Sequence, residues 1–277
     1  MSTRLPKYLS LASTALVAAG LLSGCTQGLP EGNFILPNSN TGFDYQLGGA
    51  YTPPNGVTIV ARDRTEPPAG LGYDICYVNG YQTQPEASES FAASHPELLV
   101  HYNGVPLRDP GWPDEILFDT STAQNRAALA DFVGQSITSC KTAGFDAVEI
   151  DNLDSYTRAH GLLTEQHNID LAIEYARIAH DAGLAIAQKN TPELSQRFHA
   201  AGYDFVVAES CYRFSECELY ANVYPVVLDI EYTDGLGEAQ FSDACKGRPR
   251  SVAMVLRDHG LAPSTSPDYH FLSCTGR

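Results

Sequence analysis

Between Gly144 and Arg158 the chain reads GFDAVEIDNLDSYTR, which crowds Asp146, Glu149, Asp151 and Asp154 into nine positions. Two of these acids interrupt an apolar run, and a carboxylate stripped of water costs several kcal/mol or more unless something compensates it. A second stretch repeats the design. Residues 143–152 read AGFDAVEIDN and residues 201–210 read AGYDFVVAES, so Asp151 and Glu209 close two apolar runs at one register. Between them residues 182–190, AGLAIAQKN, begin the same way and end on Gln188, Lys189 and Asn190. Two carboxylates facing each other across a cleft suit glycosidic bond hydrolysis, one protonating the leaving oxygen while the other attacks or activates water. Read locally, both acids are instead helix caps or solvated loop residues. Asp151, followed by the turn formers Asn152, Asp154 and Ser155, allows that reading, whereas Glu209 is a poor cap.

The elements that must position these residues alternate between short apolar runs and helical periodicity, the pattern of βα units and a parallel sheet. Candidate strands are Phe43–Leu47, Val57–Ala61, Asp74–Val78, Ile116–Asp119, Ala147–Ile150, Ala185–Ala187, Phe205–Ala208, Val226–Ile230 and Ala253–Leu256. That is one more than a barrel of eight requires, so one is peripheral or not a strand. Helices are expected over Thr122–Thr142 and Thr164–Ala182, the latter closed by Gly183, and a third is expected to open with Thr191 as N-cap and Pro192 at N1. In parallel α/β folds the carboxyl ends of the strands carry the chemistry, which is where Asp151, Lys189 and Glu209 fall.

The N-terminus has a different character. Arg4 and Lys7 precede an apolar run, Leu9 to Leu22, and Leu22-Ser23-Gly24-Cys25 resembles the lipobox of bacterial lipoproteins. Residues 1–24 therefore read as a signal peptide, Cys25 as the lipidated first residue of an exported protein, 25–41 as a tether and 42–277 as one catalytic domain. The lipid is the one membrane contact expected, and the chain reads as a monomer. Cys76, Cys140, Cys211, Cys217, Cys245 and Cys274 remain, an even set that suggests disulfides in an exported chain; Cys211–Cys217, Cys245–Cys274 and then Cys76–Cys140 are the favoured pairs. Zinc is the competing use, but no CxxC spacing supports it. With 17 Lys+Arg against 33 Asp+Glu the formal net charge is −16, which argues against a nucleic-acid partner and for cationic polymers. No phosphate loop or GxGxxG follows a first strand, so no cofactor is expected.

From Phe43 to about His270 the chain resembles glycoside hydrolase family 114, the endo-α-1,4-polygalactosaminidase family. The matching pieces are FDYQL (43–47), VARDRT (60–65), GFDAVEIDNLDSY (144–156), AIAQKN (185–190), VVAES (206–210) and IEY (230–232). The resemblance implies a single (β/α)8 TIM barrel and a retaining, two-carboxylate hydrolysis of α-1,4-linked galactosamine polymers. Asp151 is then the nucleophile and Glu209 the general acid/base, with the exchange of roles left open. Polar residues at the strand ends are candidate sugar contacts: Asp44, Tyr45 and Gln46; Arg62 and Asp63; Tyr77 and Asn79; Asp119; Asn152 and Asp154; Gln188, Lys189 and Asn190; Tyr232; Arg257 and Asp258. Glu149, deeper on the strand of Asp151, reads as a structural acid paired with Arg62, Arg64 or Arg257. A carbohydrate-binding barrel without turnover and a calcium module on Asp151, Asn152 and Asp154 are the rival readings.

Overall fold

The computed structural model describes residues 34–274, so the signal peptide, Cys25 and the first part of the tether lie outside the described residues. Eight parallel strands follow one another around the molecule in chain order: β1 (Gly42–Gln46), β2 (Val57–Asp63), β3 (Tyr73–Asn79), β4 (Ala147–Asp151), β5 (Ala185–Lys189), β6 (Phe205–Glu209), β7 (Val227–Tyr232) and β8 (Val252–Arg257). A short antiparallel strand, β9 (Phe271–Ser273), pairs with β8. The helices are α1 (Ser88–Ser94), α2 (Ala123–Ala143), α3 (Glu165–Asp181), α4 (Ser195–Ala200), α5 (Cys217–Ala221) and α6 (Glu238–Gly247). This is a (β/α)8 barrel.

The two-residue period of the strands divides the core in two. Phe43, Tyr45, Ile59, Ala61, Ala147, Ala187, Phe205, Val207 and Val255 pack together inside the barrel. Their alternates Val148, Ile150, Ile186, Val206 and Met254 pack outward with the apolar faces of the helices. Alanines on β2, β4 and β5 beside aromatics on β1 and β6 fill the narrow interior with alternating small and large side chains.

Helix starts and stops follow local chemistry. Thr122 accepts the Asn125 N–H at 3.0 Å to cap α2, and Gly144 ends that helix in the left-handed region at φ 103°. Thr164 and His167 form a reciprocal capping box at the start of α3, and Gly183 at φ 74° follows its end. The third start signal misleads. Thr191 sits at φ 64° and caps nothing with its side chain; Pro192–Leu194 makes a 3-10 turn, and only then does α4 begin. The reason lies on β5, where Gln188 Nε2 donates to the carbonyls of Asn190 and Thr191 at 2.6 and 2.9 Å and curls the exit into a left-handed turn.

The run Ile116–Asp119 is not a barrel strand. β3 pairs directly with β4, Tyr77 opposite Glu149 and Asn79 opposite Asp151. The apolar run instead forms isolated bridges, Ile116 to Arg108, Leu117 to Gln82 and Phe118 to Leu99, inside an insertion between β3 and α2. Ile116 and Phe118 are buried in the core shared with the helices and Leu117 in a small cluster with Val100, Ala159 and Leu163, so the pattern of a strand is present without a place in the wall. Residues 34–41, read as tether, are not loose either. Phe34 and Leu36 pack against the barrel interior's core, and Ile35 O accepts the Tyr73 hydroxyl at 2.8 Å.

Disulfides join Cys76 to Cys140, Cys211 to Cys217 and Cys245 to Cys274, the favoured pairing. They tie β3 to α2, close the loop after β6, and fasten α6 to the chain just past β9.

Where β1 meets β8, a guanidinium takes the place of a ladder. Arg257 and Asp44 are fully buried; Arg257 Nη1 donates to Asp44 Oδ1 at 2.8 Å and to Tyr45 O, while Nε and Nη2 donate to the carbonyls of His270 and Ala262 at 2.9 Å. Removing one partner of a buried pair leaves the other uncompensated, so Arg257→Leu is expected to cost about 3–5 kcal/mol in equilibrium urea unfolding. Adding Asp44→Asn should recover part of that loss. A cost below about 1 kcal/mol would show that the seam does not depend on this pair.

Candidate active site

Asp151, Lys189 and Glu209 are the last residues of β4, β5 and β6, so three adjacent parallel strands deliver them to one end of the barrel. The residue that organises this end is Lys189. Its side chain is 2% exposed, and its Nζ lies 3.2 Å from Glu149 Oε1, 3.7 Å from Asp151 Oδ2 and 3.5 Å from Glu209 Oε2. The same nitrogen donates to the Tyr45 hydroxyl at 2.9 Å and stands over the rings of Tyr45 and Tyr77 at 5.2 and 5.6 Å from their centroids. Burial works against the ammonium, but Asp151, Glu209 and Glu149 together outweigh it and hold its pKa well above the ordinary lysine value. Lys189 is a fixed positive charge.

Each carboxylate has its own donors. Tyr77 donates to Asp151 Oδ2 at 2.7 Å, and the Asn152 N–H donates to Oδ1 at 2.8 Å. Tyr232 donates to Glu209 Oε1 and Asn190 Nδ2 to Oε2, while Asn190 Oδ1 accepts the Glu209 N–H at 2.8 Å. Burial pushes the Glu209 carboxyl up, but Lys189, Tyr232 and Asn190 prevail and hold it below the usual range. Burial pushes the phenols of Tyr77, Tyr45 and Tyr232 well up, and the neighbouring carboxylates reinforce this, so all three stay protonated donors.

The backbone repeats behind the side chains. The residue after each strand end is left-handed: Asn152 at φ 63°, Asn190 at φ 51° and Ser210 at φ 59°. Such geometry costs free energy for a residue other than glycine and clusters at functional sites, where Asn tolerates it best. On the neighbouring strand end Gly80 must be glycine. Its N–H donates to Asp151 O at 3.3 Å, and a Cβ there would collide with Ile150 Cγ2.

Glu149 lies below Asp151, fully buried, and its partners are Lys189 and the Tyr45 hydroxyl at 2.7 Å rather than Arg62, Arg64 or Arg257. The alternation of β1 and β2 turns Arg62 outward, and Arg257 is held at the seam.

The remaining sequence candidates divide. Asn79 joins the site, accepting Asn152 Nδ2 at 3.0 Å and donating to Glu115 Oε2 at 2.8 Å. Asp154 borders it, paired with Arg158 Nη1 at 2.8 Å, whose Nη2 donates to Asn152 Oδ1. Asp44, Gln46 and Arg62 lie outside the barrel wall in one buried network: Gln46 donates to Asp44 and accepts from Arg62, whose other nitrogens take the carbonyls of Pro67 and Tyr51. Gln188 also points outward, accepting from Tyr224 at 2.7 Å. Arg257 and Asp258 secure the seam and its following loop, where Asp258 accepts the Ala262 and His270 N–H groups. Asp63 and Asp119 cap their own turns, at Thr65 and Ser121. Glu115 was not among the candidates: it stands in a Pro-Asp-Glu turn of the insertion, without periodicity or strand end to mark it.

Among the described residues one group carries metal-binding side chains within reach of one another, Cys211, Cys217 and Asp229. Both sulfurs are joined in a disulfide, which leaves a single carboxylate.

The charge balance around Lys189 sets a pH dependence. Burial, reinforced by Asp151 and opposed by Lys189 and Tyr45, pushes Glu149 from 4.5 up to about 7. Between those values the folded protein holds a proton that the unfolded chain has released, so this group makes stability fall as pH rises from 4.5 to about 7. Thermal melting of Glu149→Gln across that interval is expected to show a shallower decline than wild type. Parallel curves would mean that Glu149 is ionised throughout.

Residues 27–277 match the model of glycoside-hydrolase family GH114. Ega3 of Aspergillus fumigatus, solved in complex with galactosamine, superposes with a TM-score of 0.64 at 23% identity, covering 83% of this chain and 98% of that one. The glycoside hydrolase domain of PelA from Pseudomonas aeruginosa gives 0.55 at 15% identity, over 83% and 97% of the two chains. An α-amylase from Lactobacillus plantarum gives 0.54 at 12%, over 84% and 76%. No curated protein matches the sequence. The structural likenesses establish the fold, the family match covers nearly the whole chain, and the protein belongs to glycoside-hydrolase family GH114.

Proposed function

We propose that this glycoside hydrolase cleaves internal α-1,4 linkages of galactosamine-containing polysaccharide through Asp151 and Glu209, with retention of anomeric configuration. One observation carries the reading: a single buried ammonium lies 3.7 Å from Asp151 and 3.5 Å from Glu209. The two oxygens are therefore no farther apart than the sum of those distances. That bound admits the retaining separation of about 5–5.5 Å and reaches only the lower end of the inverting range of about 6.5–9.5 Å. The galactosamine bound in the Ega3 structure and the acidic charge of this chain support an amino-sugar polymer as substrate.

In the first step Asp151 attacks the anomeric carbon while Glu209 gives its proton to the departing oxygen, leaving a glycosyl ester. In the second, Glu209 takes a proton from water, whose oxygen attacks the same carbon and frees Asp151. Asp151 is 21% exposed and Glu209 34%, which sets Glu209 nearer the rim where the leaving chain departs. Tyr77 and the Asn152 N–H orient Asp151, and the Lys189 ammonium faces the carboxyl groups of both acids.

One observation favours the exchanged roles. Glu209 is held below the usual carboxyl range, which suits a nucleophile better than an acid. Azide decides between them: with an activated glycoside, the nucleophile variant yields the inverted glycosyl azide and the acid/base variant the retained one. Asp151→Gly giving inversion supports the first assignment, and Glu209→Gly giving inversion supports the second.

Export is supported by three disulfides, and lipidation at Cys25 would hold the enzyme at a membrane surface facing its polymer.

The mature protein, offered de-N-acetylated α-1,4-galactosamine polymer, is expected to release oligomers detectable by mass spectrometry. Asp151→Asn and Glu209→Gln should each slow this by about 10³-fold or more. Binding without cleavage by wild type would favour a carbohydrate-binding barrel. Activity in either variant close to wild type would remove that residue from the chemistry.

A further inference from the structure

Glu115 has no task in the reaction as written, yet the fold brings it to the reacting pair. It closes a tight turn of the β3–α2 insertion, with its N–H donating to Trp112 O at 2.8 Å and its carbonyl accepting from Asp109 N at 3.0 Å. Its side chain leans on the end of β3, where Oε2 accepts from Asn79 Nδ2 at 2.8 Å. Asn79 is the ladder partner of Asp151 and also takes the Asn152 side chain, so Glu115 is one residue removed from Asp151.

Glu115 is only 9% exposed, and a carboxylate that buried ordinarily has a cation of its own. Arg158, whose charge acts on Glu115, is already engaged: Nε by Asp109 at 2.6 Å, Nη1 by Asp154 at 2.8 Å and Nη2 by Asn152 at 3.1 Å. Lys189 serves the other three acids. Glu115 Oε1 takes no hydrogen bond from the described residues, and it is not sealed from solvent. An acid is left short of one positive, hydrogen-donating partner on the side of the site where Asp151 stands.

The substrate supplies such a group. Every galactosamine unit carries an ammonium on C2, the carbon bonded to the anomeric centre. A sugar placed for attack by Asp151 therefore brings that ammonium to the neighbourhood of the same strand end. We propose that Glu115 is a specificity-determining residue that reads the free C2 amino group of the sugar whose linkage is broken. An N-acetyl group is larger and uncharged, and leaves the acid uncompensated. This inference rests on the galactosamine reading of the substrate.

The electrostatic surroundings of Glu115 agree with the geometry. Burial, opposed by the Asn79 hydrogen bond and Arg158 and reinforced by Asp151 and Asp109, pushes Glu115 up to about 7. In the empty site near neutrality the acid is partly protonated, and an arriving ammonium favours its charged form.

The test uses one partially N-acetylated α-1,4-galactosamine polymer, with the new reducing ends sequenced by mass spectrometry. Each new reducing end is the sugar that was attacked, so the ratio of free to acetylated residues there measures selection independently of enzyme amount. Wild type should strongly favour free galactosamine. Glu115→Gln should lower that ratio by about tenfold to a hundredfold, the worth of a charge-assisted hydrogen bond, while cleavage continues. Glu115→Asp, which keeps the charge, should retain part of the preference. An unchanged ratio in Glu115→Gln overturns the inference, as does equal loss of all turnover in the Gln and Asp variants, which would mark a purely structural acid. Wild-type protein that cleaves no linkage of this polymer overturns the reading of the substrate instead, and the inference falls with it.

Discussion

The structure turns on one buried ammonium. Lys189 lies inside the barrel among Glu149, Asp151 and Glu209, with the Tyr45 hydroxyl as a fourth neighbour. Burying charges costs more than their attraction returns unless geometry and hydrogen bonding are both good. Here the geometry is set by the barrel itself. β4, β5 and β6 must run parallel and adjacent for their last residues to converge, and Tyr45 must arrive from β1 on the far side of the interior. Alanines at 147, 185 and 187 keep the interior beneath free for the long side chain. The barrel's closure and the convergence of its polar residues are thus one requirement, and the Arg257–Asp44 seam belongs to it although it lies away from the chemistry.

Charge balance follows from the same arrangement. One lysine among three carboxylates leaves the group acidic, and the burden falls unevenly. Lys189, Tyr232 and Asn190 hold Glu209 below the usual carboxyl range, whereas burial pushes Glu149, deepest and poorest in partners, up to about 7. The cationic substrate proposed above would complete what the protein leaves unbalanced, in keeping with a chain whose formal charge is −16. Under the proposed function, acids that look excessive in the empty protein would be complementary to a polymer bearing an ammonium on every sugar.

Support for the site is carried by backbone as much as by side chains. Three consecutive strands end in a polar residue followed by a left-handed one, at Asn152, Asn190 and Ser210. In two of the three, Asn tolerates that conformation while its side chain hydrogen-bonds within the site. Asn190 clamps Glu209 from both sides, and Asn152 links Asn79 to Arg158. The repetition in sequence, AGFDAVEIDN against AGYDFVVAES, is the trace of one βα unit used again with its exit turn intact.

Much of this is legible in the amino-acid sequence. The apolar runs marked all eight barrel strands, each boundary to within two residues, because alternate burial in a barrel wall is a local property of the strand. The matched carboxylates were legible for the same reason, since a shared register at strand ends follows from counting. What failed needed partners from elsewhere. Ile116–Asp119 has the composition of a strand, but β3 already pairs with β4, and ladder partners are chosen by closure of the sheet. Thr191-Pro192 has the letters of a helix start, but Gln188 captures the carbonyls and turns the chain first. Asp44, Gln46, Arg62 and Gln188 stand at strand ends but on the outer face. Glu149 found Lys189 instead of an arginine, and Glu115 gave no signal because the loop that bears it reaches Asn79 only once folded. Sequence alone determined the βα rhythm, the acidic character and the Asp151/Glu209 register, all written in neighbours along the chain. Which cation holds those acids, and which loop residue joins them, was decided by closing the barrel, because electrostatic and hydrogen-bond partners are set by distance in space.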